Sequence, residues 1–345
     1  MKKYLLVFAL ACSVYAAKAQ DDDKRTPYQT KSLASEAIQS VEVRTSGGGI
    51  MVKGGSGTDA RIEVYVRGNN DREFSKEEIQ QRLNDDYELT VSVVNHKLTA
   101  IARNRKNNQD WRRSLNISFK IYVPENVSTD LETSGGGITL SSLSGNQKFE
   151  TSGGGLHLDH MGGKTVGSTS GGGIRIFDSK DDIDLSTSGG SIEASNCSGN
   201  IRLETSGGSL HLNNLKGVIH ASTSGGSANG SDISGELSIH TSGSGIHLNN
   251  LTCSLDASTS GASIDVEMAS LGKYIKLSNG GGNINLTIPQ GKGIDLTLDA
   301  DRIQTNELDN FMGSKEEGHM KGTLNGGGIP VTLDAGGGKI YLTMK

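Results

Sequence analysis

Along residues 199–217, GNIRLETSGGSLHLNNLKG, apolar and polar positions alternate in two short runs. Ile201, Leu203 and Thr205 alternate with Arg202 and Glu204, and Leu210 and Leu212 flank His211. A period of two is the pattern of a strand with one face buried. Glycines separate the two runs, where freedom in φ allows a sharp turn or a close approach of backbone. Leu215 and Gly217 mark a second bend. Each unit therefore reads as two or three short strands joined by corners, without room for a crossover helix.

The unit recurs. A Thr-Ser-Gly phrase begins at Thr133, Thr151, Thr169, Thr187, Thr205, Thr223, Thr241 and Thr259, always 18 residues apart. A fixed short period is the mark of a repeat architecture in which each unit buries its apolar face against its neighbours. The expected fold is all-β, a single-stranded parallel β-helix or solenoid of 18-residue coils, with Ile stacked on Ile and Thr on Thr. At about 4.8 Å per coil, eight coils give a stack roughly 35 Å long. The Thr ladder is expected to face inward, its hydroxyls bonded to one another or to backbone.

The flanks differ. Residues 41–124 carry alternating runs (RIEVYVRG, YELTVSVVN, KLTAIARN, LNISFKIYVP) and read as an N-terminal β cap. It holds one short helix, FSKEEIQQRL, with Ser75 as N-cap and Glu78 closing a capping box. VEVRTSGGGIMV at 41–52 is a copy of the phrase 88 residues upstream of Thr133 and out of phase with it. The repeat domain spans 125–345: regular units over about 133–276, then degenerate coils over 277–345, interrupted by a polar loop at 301–322.

Export follows from the N-terminus. Lys2 and Lys3, an apolar run from Tyr4 to Ala17, and Ala17-Lys18-Ala19 read as a signal peptide over residues 1–19. Leu10-Ala11-Cys12 offers a weaker reading as a lipid anchor at Cys12. Residues 20–40 are polar and aperiodic, and are expected to be a disordered leader. The sequence has 34 Lys+Arg against 39 Asp+Glu; residues 1–19 hold three Lys and no acid, leaving 31 against 39, a net charge of −8. That balance argues against nucleic acid as a partner. With 48 Gly and only 4% aromatic residues, the chain needs a thin core repeated many times. Cys197 and Cys253 lie three coils and two residues apart. Three coils is about 14 Å, beyond the roughly 7 Å Cα limit of a disulfide, so two free, inward thiols are expected.

The Thr-Ser-Gly-Gly-Gly-Ile phrases at 45–50 and 133–138, the run FKIYVPENVSTDLETSGGGI (119–138) leading into the repeat and the closing GGGKIYL (336–342) resemble a bacterial putative-adhesin family of exported, glycine-rich β-solenoid domains of unknown function. The resemblance covers most of 38–345. It implies a surface or envelope location, in the periplasm, on the outer membrane or outside the cell, and a binding or scaffolding role. It supplies no catalytic residues.

Candidate chemistry is sparse. A phosphate loop needs a glycine turn opening a helix, usually with Lys-Ser/Thr, whereas strands follow these glycines. Calcium β-rolls need Asp in a nine-residue repeat; Ile, Leu or Ala stands after the glycines here. The outward column His157, Arg175, Glu193, His211, Asn229, His247, Asp265 never brings two histidines within reach of one zinc ion; Glu193/His211 and His247/Asp265 suit exposed ion pairs. Ice binding would want outward Thr ladders. No metal, cofactor or catalytic residue is assigned. A carbohydrate-active β-helix enzyme, a polysaccharide lyase or glycosidase, is the competing reading, with Asp178, Asp181, Asp182 and Asp184 as its acidic cluster; the middle of the stack, residues 133–273, supplies only Phe149 and Phe177 as aromatics. The basic stretch RNRKNNQDWRR places Arg103, Arg105, Lys106, Trp111, Arg112 and Arg113 between two strands, a candidate patch for an anionic ligand. The function expected is a non-enzymatic adhesin or envelope binding module for polysaccharide or surface protein, with self-association left open.

Overall fold

A computed structural model describes residues 26–55, 59–68, 74–105 and 114–345; the N-terminal segment and the Cys12 reading lie outside the described residues. The chain is mostly β, with one α-helix, Lys76–Asp86, among the described residues. No helix there is long and apolar enough to cross a membrane.

The repeats pair in parallel. Asn146–Thr151 lies against Lys164–Thr169 with Asn146 opposite Lys164 and Thr151 opposite Thr169, and Leu156–Asp159 lies against Ile174–Phe177 in the same offset. The 18-residue step continues through Thr187↔Thr205, Thr205↔Thr223, Thr223↔Thr241 and Thr241↔Thr259. Alternation does what the sequence pattern requires: Ile183, Leu185, Ile201, Leu203, Ile219, Leu237 and Ile239 are buried, while Arg202, Glu204 and His220 between them face out. A one-residue slip would exchange these faces, so the register is fixed by burial.

The glycine phrase is a latch. The Thr151 hydroxyl donates to the Gly136 carbonyl of the layer below at 2.8 Å and accepts from the Gly154 amide of its own corner at 3.3 Å. The same pair of bonds recurs at Thr169, Thr187, Thr205 and Thr223. Only the glycine three residues after Thr is sterically demanded. A Cβ on Gly154, Gly190 or Gly208 would meet the backbone oxygen of the layer below at 2.0–2.1 Å, whereas one on Gly153 or Gly189 would sit 3.4–3.5 Å away. Serine accordingly replaces the last glycine at 191, 209 and 227. Ser244 and Ala262 occupy the demanded position in the two last regular units. There the Thr hydroxyl still reaches the layer below.

A second corner is invisible in the glycine pattern. Ser142, His160, Asp178, Asn196, Asn214, Asp232 and Asn250, all 18 apart, have φ of +50° to +58°. Asn and Asp tolerate this left-handed region better than most residues. Their side chains also join layers: Asn196 donates to Asp178 at 3.0 Å, Asn214 to Asn196 at 2.8 Å, and Asn250 to Asp232.

Both ends depart from expectation. The upstream phrase, out of phase along the chain, is in phase in space: Thr45 lies opposite Thr133 and Ile50 opposite Ile138. Residues 40–54 thus form a layer of the stack rather than part of a separate cap. The chain then leaves and returns outside this layer, with Lys97–Asn104 on Ser40–Thr45 and Leu115–Val123 on Ile50–Gly54. Antiparallel strands close this end, Tyr87–Val94 on Lys97–Asn104 and Arg61–Gly68 on Leu115–Val123. The leader expected over 20–40 does not stay unstructured up to residue 40. Gln29–Ser32 pairs with Arg61–Gly68, and Leu33 and Ile38 are buried; an edge strand exposed on most sides shows no alternation to read. The helix caps through Ser75, which accepts the Glu78 amide, but the Glu78 carboxylate turns to Arg82 at 2.6 Å instead of closing the box.

At the other end the last strand is not the outermost. Residues 331–334 and 340–344 lie on 275–278 and 284–288, and Ile294–Asp299 and Arg302–Thr305 lie outside them. The expected polar loop at 301–322 is instead Arg302–Thr305 followed by a hairpin, Phe311–Glu316 with His319–Leu324, antiparallel to Ile294–Asp299. Its outer strand buries almost nothing, which is why its sequence looks like loop. Antiparallel closure at both ends covers the open edges a parallel stack would leave.

Cys197 and Cys253 are free and buried. Burial pushes the Cys197 thiol up to about 11 and the Cys253 thiol up to about 12. Since the thiolate is the nucleophile, neither should react with iodoacetamide at mildly alkaline pH in the folded chain, and both should react in guanidinium. Mass spectrometry showing either residue labelled in the native state would contradict this burial.

Candidate functional site

Of the basic stretch, the structure places only two members. Arg103 is exposed near the end of Lys97–Asn104. Arg105 is tied into the cap, its Nε donating to the Tyr87 carbonyl at 2.8 Å and its amide to that of Asp86 at 2.9 Å. Lys106, Trp111, Arg112 and Arg113 lie outside the described residues.

The carboxylates of the acidic bend contact neighbouring layers. Asp178 accepts from Asn196 at 3.0 Å, Asp181 from the Gly163 amide at 2.9 Å and Asp182 from Asn200 at 2.9 Å, while Asp184 stands 4.0 Å from Arg202. Each carboxylate bridges to a neighbouring layer. In the outward column, His247 pairs with Asp265 at 2.9 Å as expected, but Glu193 pairs with Arg175 at 3.2 Å rather than with His211.

The structure also assembles what the column reading missed. Asp159, His160 and Asp178 bring potential metal-binding atoms within 4.8 Å of one another. His160 Nδ1 is 2.8 Å from an Asp159 oxygen, and one Asp178 oxygen is taken by Asn196. The signal was present as the His and Asp 18 residues apart at the second corner, three positions beyond the outward column of His157 and Arg175.

Two hollows lie on the outer face of the strands that lead into the latch. One, of about 340 Å³, is lined by Arg44, Asp130, Glu132, Lys148, Glu150 and Asp184 among others. Arg44 holds Asp130 at 2.8 Å and Glu132 at 3.2 Å. Its hydrogen bond keeps the Asp130 carboxyl below the usual range against a smaller burial effect, and the same bond raises Arg44. Asp130 and Glu132 are thus charge partners of Arg44. The other, of about 440 Å³, is a trough lined by Ser168, Ser186 and Ser222 with the Ser of successive latch phrases, Ser170, Ser188, Ser206 and Ser224.

No protein-family model matches the chain, and no curated protein matches it. A crystal structure from Clostridium sporogenes described as a "putative cell adhesion protein" is similar at 11% identity over 92% of this chain and 98% of that one, with a TM-score of 0.20. At that TM-score the likeness decides neither topology nor function.

Proposed function

We propose that this chain is an exported, non-enzymatic β-solenoid that works as an adhesin-like binding or scaffolding module at the bacterial envelope. The observation that carries the reading is the unbroken 18-residue register from Thr133 to Thr259, extended below by Thr45. It repeats each outward side chain position about every 4.8 Å on a backbone held rigid by its neighbours, which suits a repeating ligand met at many weak contacts. Commitment of Asp178, Asp181 and Asp182 to interlayer hydrogen bonds argues against the lyase or glycosidase alternative. The test is a panel of envelope and extracellular polysaccharides presented to residues 20–345, reading retention and released product together. Retention without cleavage is expected. Released oligosaccharide would establish an enzyme, and neither signal would leave a structural role or a protein partner.

A further inference from the structure

Antiparallel closure still leaves outermost strands at the two ends. Gln29–Ser32, Tyr87–Val94, Arg302–Thr305 and Phe311–Glu316 each pair with one strand among the described residues. Three of the four carry features that discourage a further strand from adding. Gln29–Ser32 and Arg302–Thr305 are four residues long and hold Lys31 and Arg302, and Phe311–Glu316 holds Gly313 and Lys315. Tyr87–Val94 differs. It is eight residues long, YELTVSVV, without proline, glycine or a cation, and Glu88 is its one charge. It pairs with Lys97–Asn104 in unbroken register.

Two observations fix which backbone groups of this strand point outward. The Arg105 amide donates to the Asp86 carbonyl at 2.9 Å. Asn95 and His96, with φ of +50° and +62°, close a two-residue turn between Val94 and Lys97, the primed geometry of a tight hairpin. Both put residues 88, 90, 92 and 94 in the hydrogen-bonded pairs with Lys97–Asn104, because such pairs alternate. The amides and carbonyls of Leu89, Val91 and Val93 therefore face away from that strand, and no group among the described residues bonds them. The Tyr87 carbonyl, in the same phase, accepts from Arg105 Nε. The side chains of Leu89, Val91 and Val93 lie beside Ala102, Ala100 and Leu98 against the core, yet are only half-buried. On the opposite face Glu88, Thr90 and Val94 are exposed, Val94 to 65%.

We infer that this edge pairs with the same edge of a second copy of the chain, antiparallel about a two-fold axis at Val91. In that register Leu89 lies opposite the second copy's Val93, and Val91 opposite its own counterpart. It is the one antiparallel register in which Leu89, Val91 and Val93 all pair among themselves, each exchanging its amide and carbonyl. Their half-buried side chains meet a matching apolar row, Leu against Val and Val against Val. On the outward face Thr90 lies opposite Ser92 and Glu88 opposite Val94, so no like charges meet. The contact is isologous and closes on itself. It joins two stacks at their N-terminal ends and presents two sets of outward columns on one body, which multiplies weak contacts to a repeating partner.

A contact of one strand is small for a stable interface, so the dimer is expected to form at about 100 µM and to dissociate on dilution. Residues 20–345 would be followed by sedimentation equilibrium over that range, with circular dichroism on every variant. The unchanged chain should approach twice the monomer mass. Thr90→Lys with Ser92→Lys sets cations face to face across the axis from outward positions, and should raise the dissociation constant about tenfold. Thr90→Glu with Ser92→Lys sets opposite charges across the same pairs, and should keep or tighten the dimer, most at low salt. Met312→Ser, at an exposed position of the opposite end, should change nothing. A monomer at every concentration overturns the inference. So does association that survives the first double variant, falls equally in both double variants, or falls with Met312→Ser. The inference does not depend on the binding reading above: a dimer that retains no polysaccharide leaves it standing, and a monomer that retains polysaccharide overturns it alone.

Discussion

Gly190→Val is expected to destabilise the stack by about 3 kcal/mol or more, while Gly189→Ala next to it costs about 1 kcal/mol or less. The two residues look equivalent in the phrase Thr187-Ser188-Gly189-Gly190-Ser191. They differ in what lies beneath. A side chain on Gly190 would start 2.1 Å from the Gly172 oxygen, whereas one on Gly189 would start 3.4 Å from that of Gly171. The obstacle at Gly190 is backbone already committed, since the Gly172 carbonyl accepts the Thr187 hydroxyl at 2.7 Å. Relief therefore requires prying layers apart, which also breaks the bond from the Gly190 amide to Thr187. Ser244 and Ala262 show that a corner can shift for a small side chain; a β-branched one in mid-stack meets constrained layers on both sides. Guanidinium unfolding midpoints of the two variants test this. Equal midpoints would show that the corner is soft and that the latch adds little.

Phe149 and Gly167 are expected to behave as one unit. Phe149 is 2% exposed, and a Cβ on Gly167 would fall 1.9 Å from its ring. The ring fills the space that a side chain at 167 occupies in other layers, where Leu131, Leu185 and Leu203 share the column. Phe149→Ala should cost about 3–5 kcal/mol through the cavity it opens. Gly167→Leu alone should destabilise by overpacking, about 1–3 kcal/mol or more. Combined, Phe149→Leu with Gly167→Leu makes the column uniform and should recover much of both losses. A double-mutant cycle giving additive effects would mean that the two sites do not share space.

The juxtaposition of Arg61, Tyr122 and Lys53 across three strands escaped the sequence reading for a definable reason. Arg61, Lys53 and Tyr122 are far apart along the chain and belong to three strands whose pairing is not sequential. Each alone is an ordinary outward residue of an alternating strand. The basic run at 103–113 was conspicuous because its charges are contiguous, yet Arg105 serves the cap backbone. Contiguity in sequence and convergence in space are separate properties, and only pairing register connects them.

Periodicity by itself determined the strands, their inward and outward residues and the 18-residue step, because alternation and a fixed period admit one register in which apolar faces meet. It also set the two thiols too far apart to join. Tertiary structure decided the rest. It selected which glycine of the phrase is required, since that depends on a backbone oxygen in the layer below. It placed the upstream phrase at 45–50 beneath Thr133, and the last strand inside rather than at the end, because hydrogen-bonding edges must be satisfied whatever the chain order. It turned the polar segments at 29–32 and 311–316 into closing strands, where backbone pairing needs no apolar face and so leaves no pattern to read.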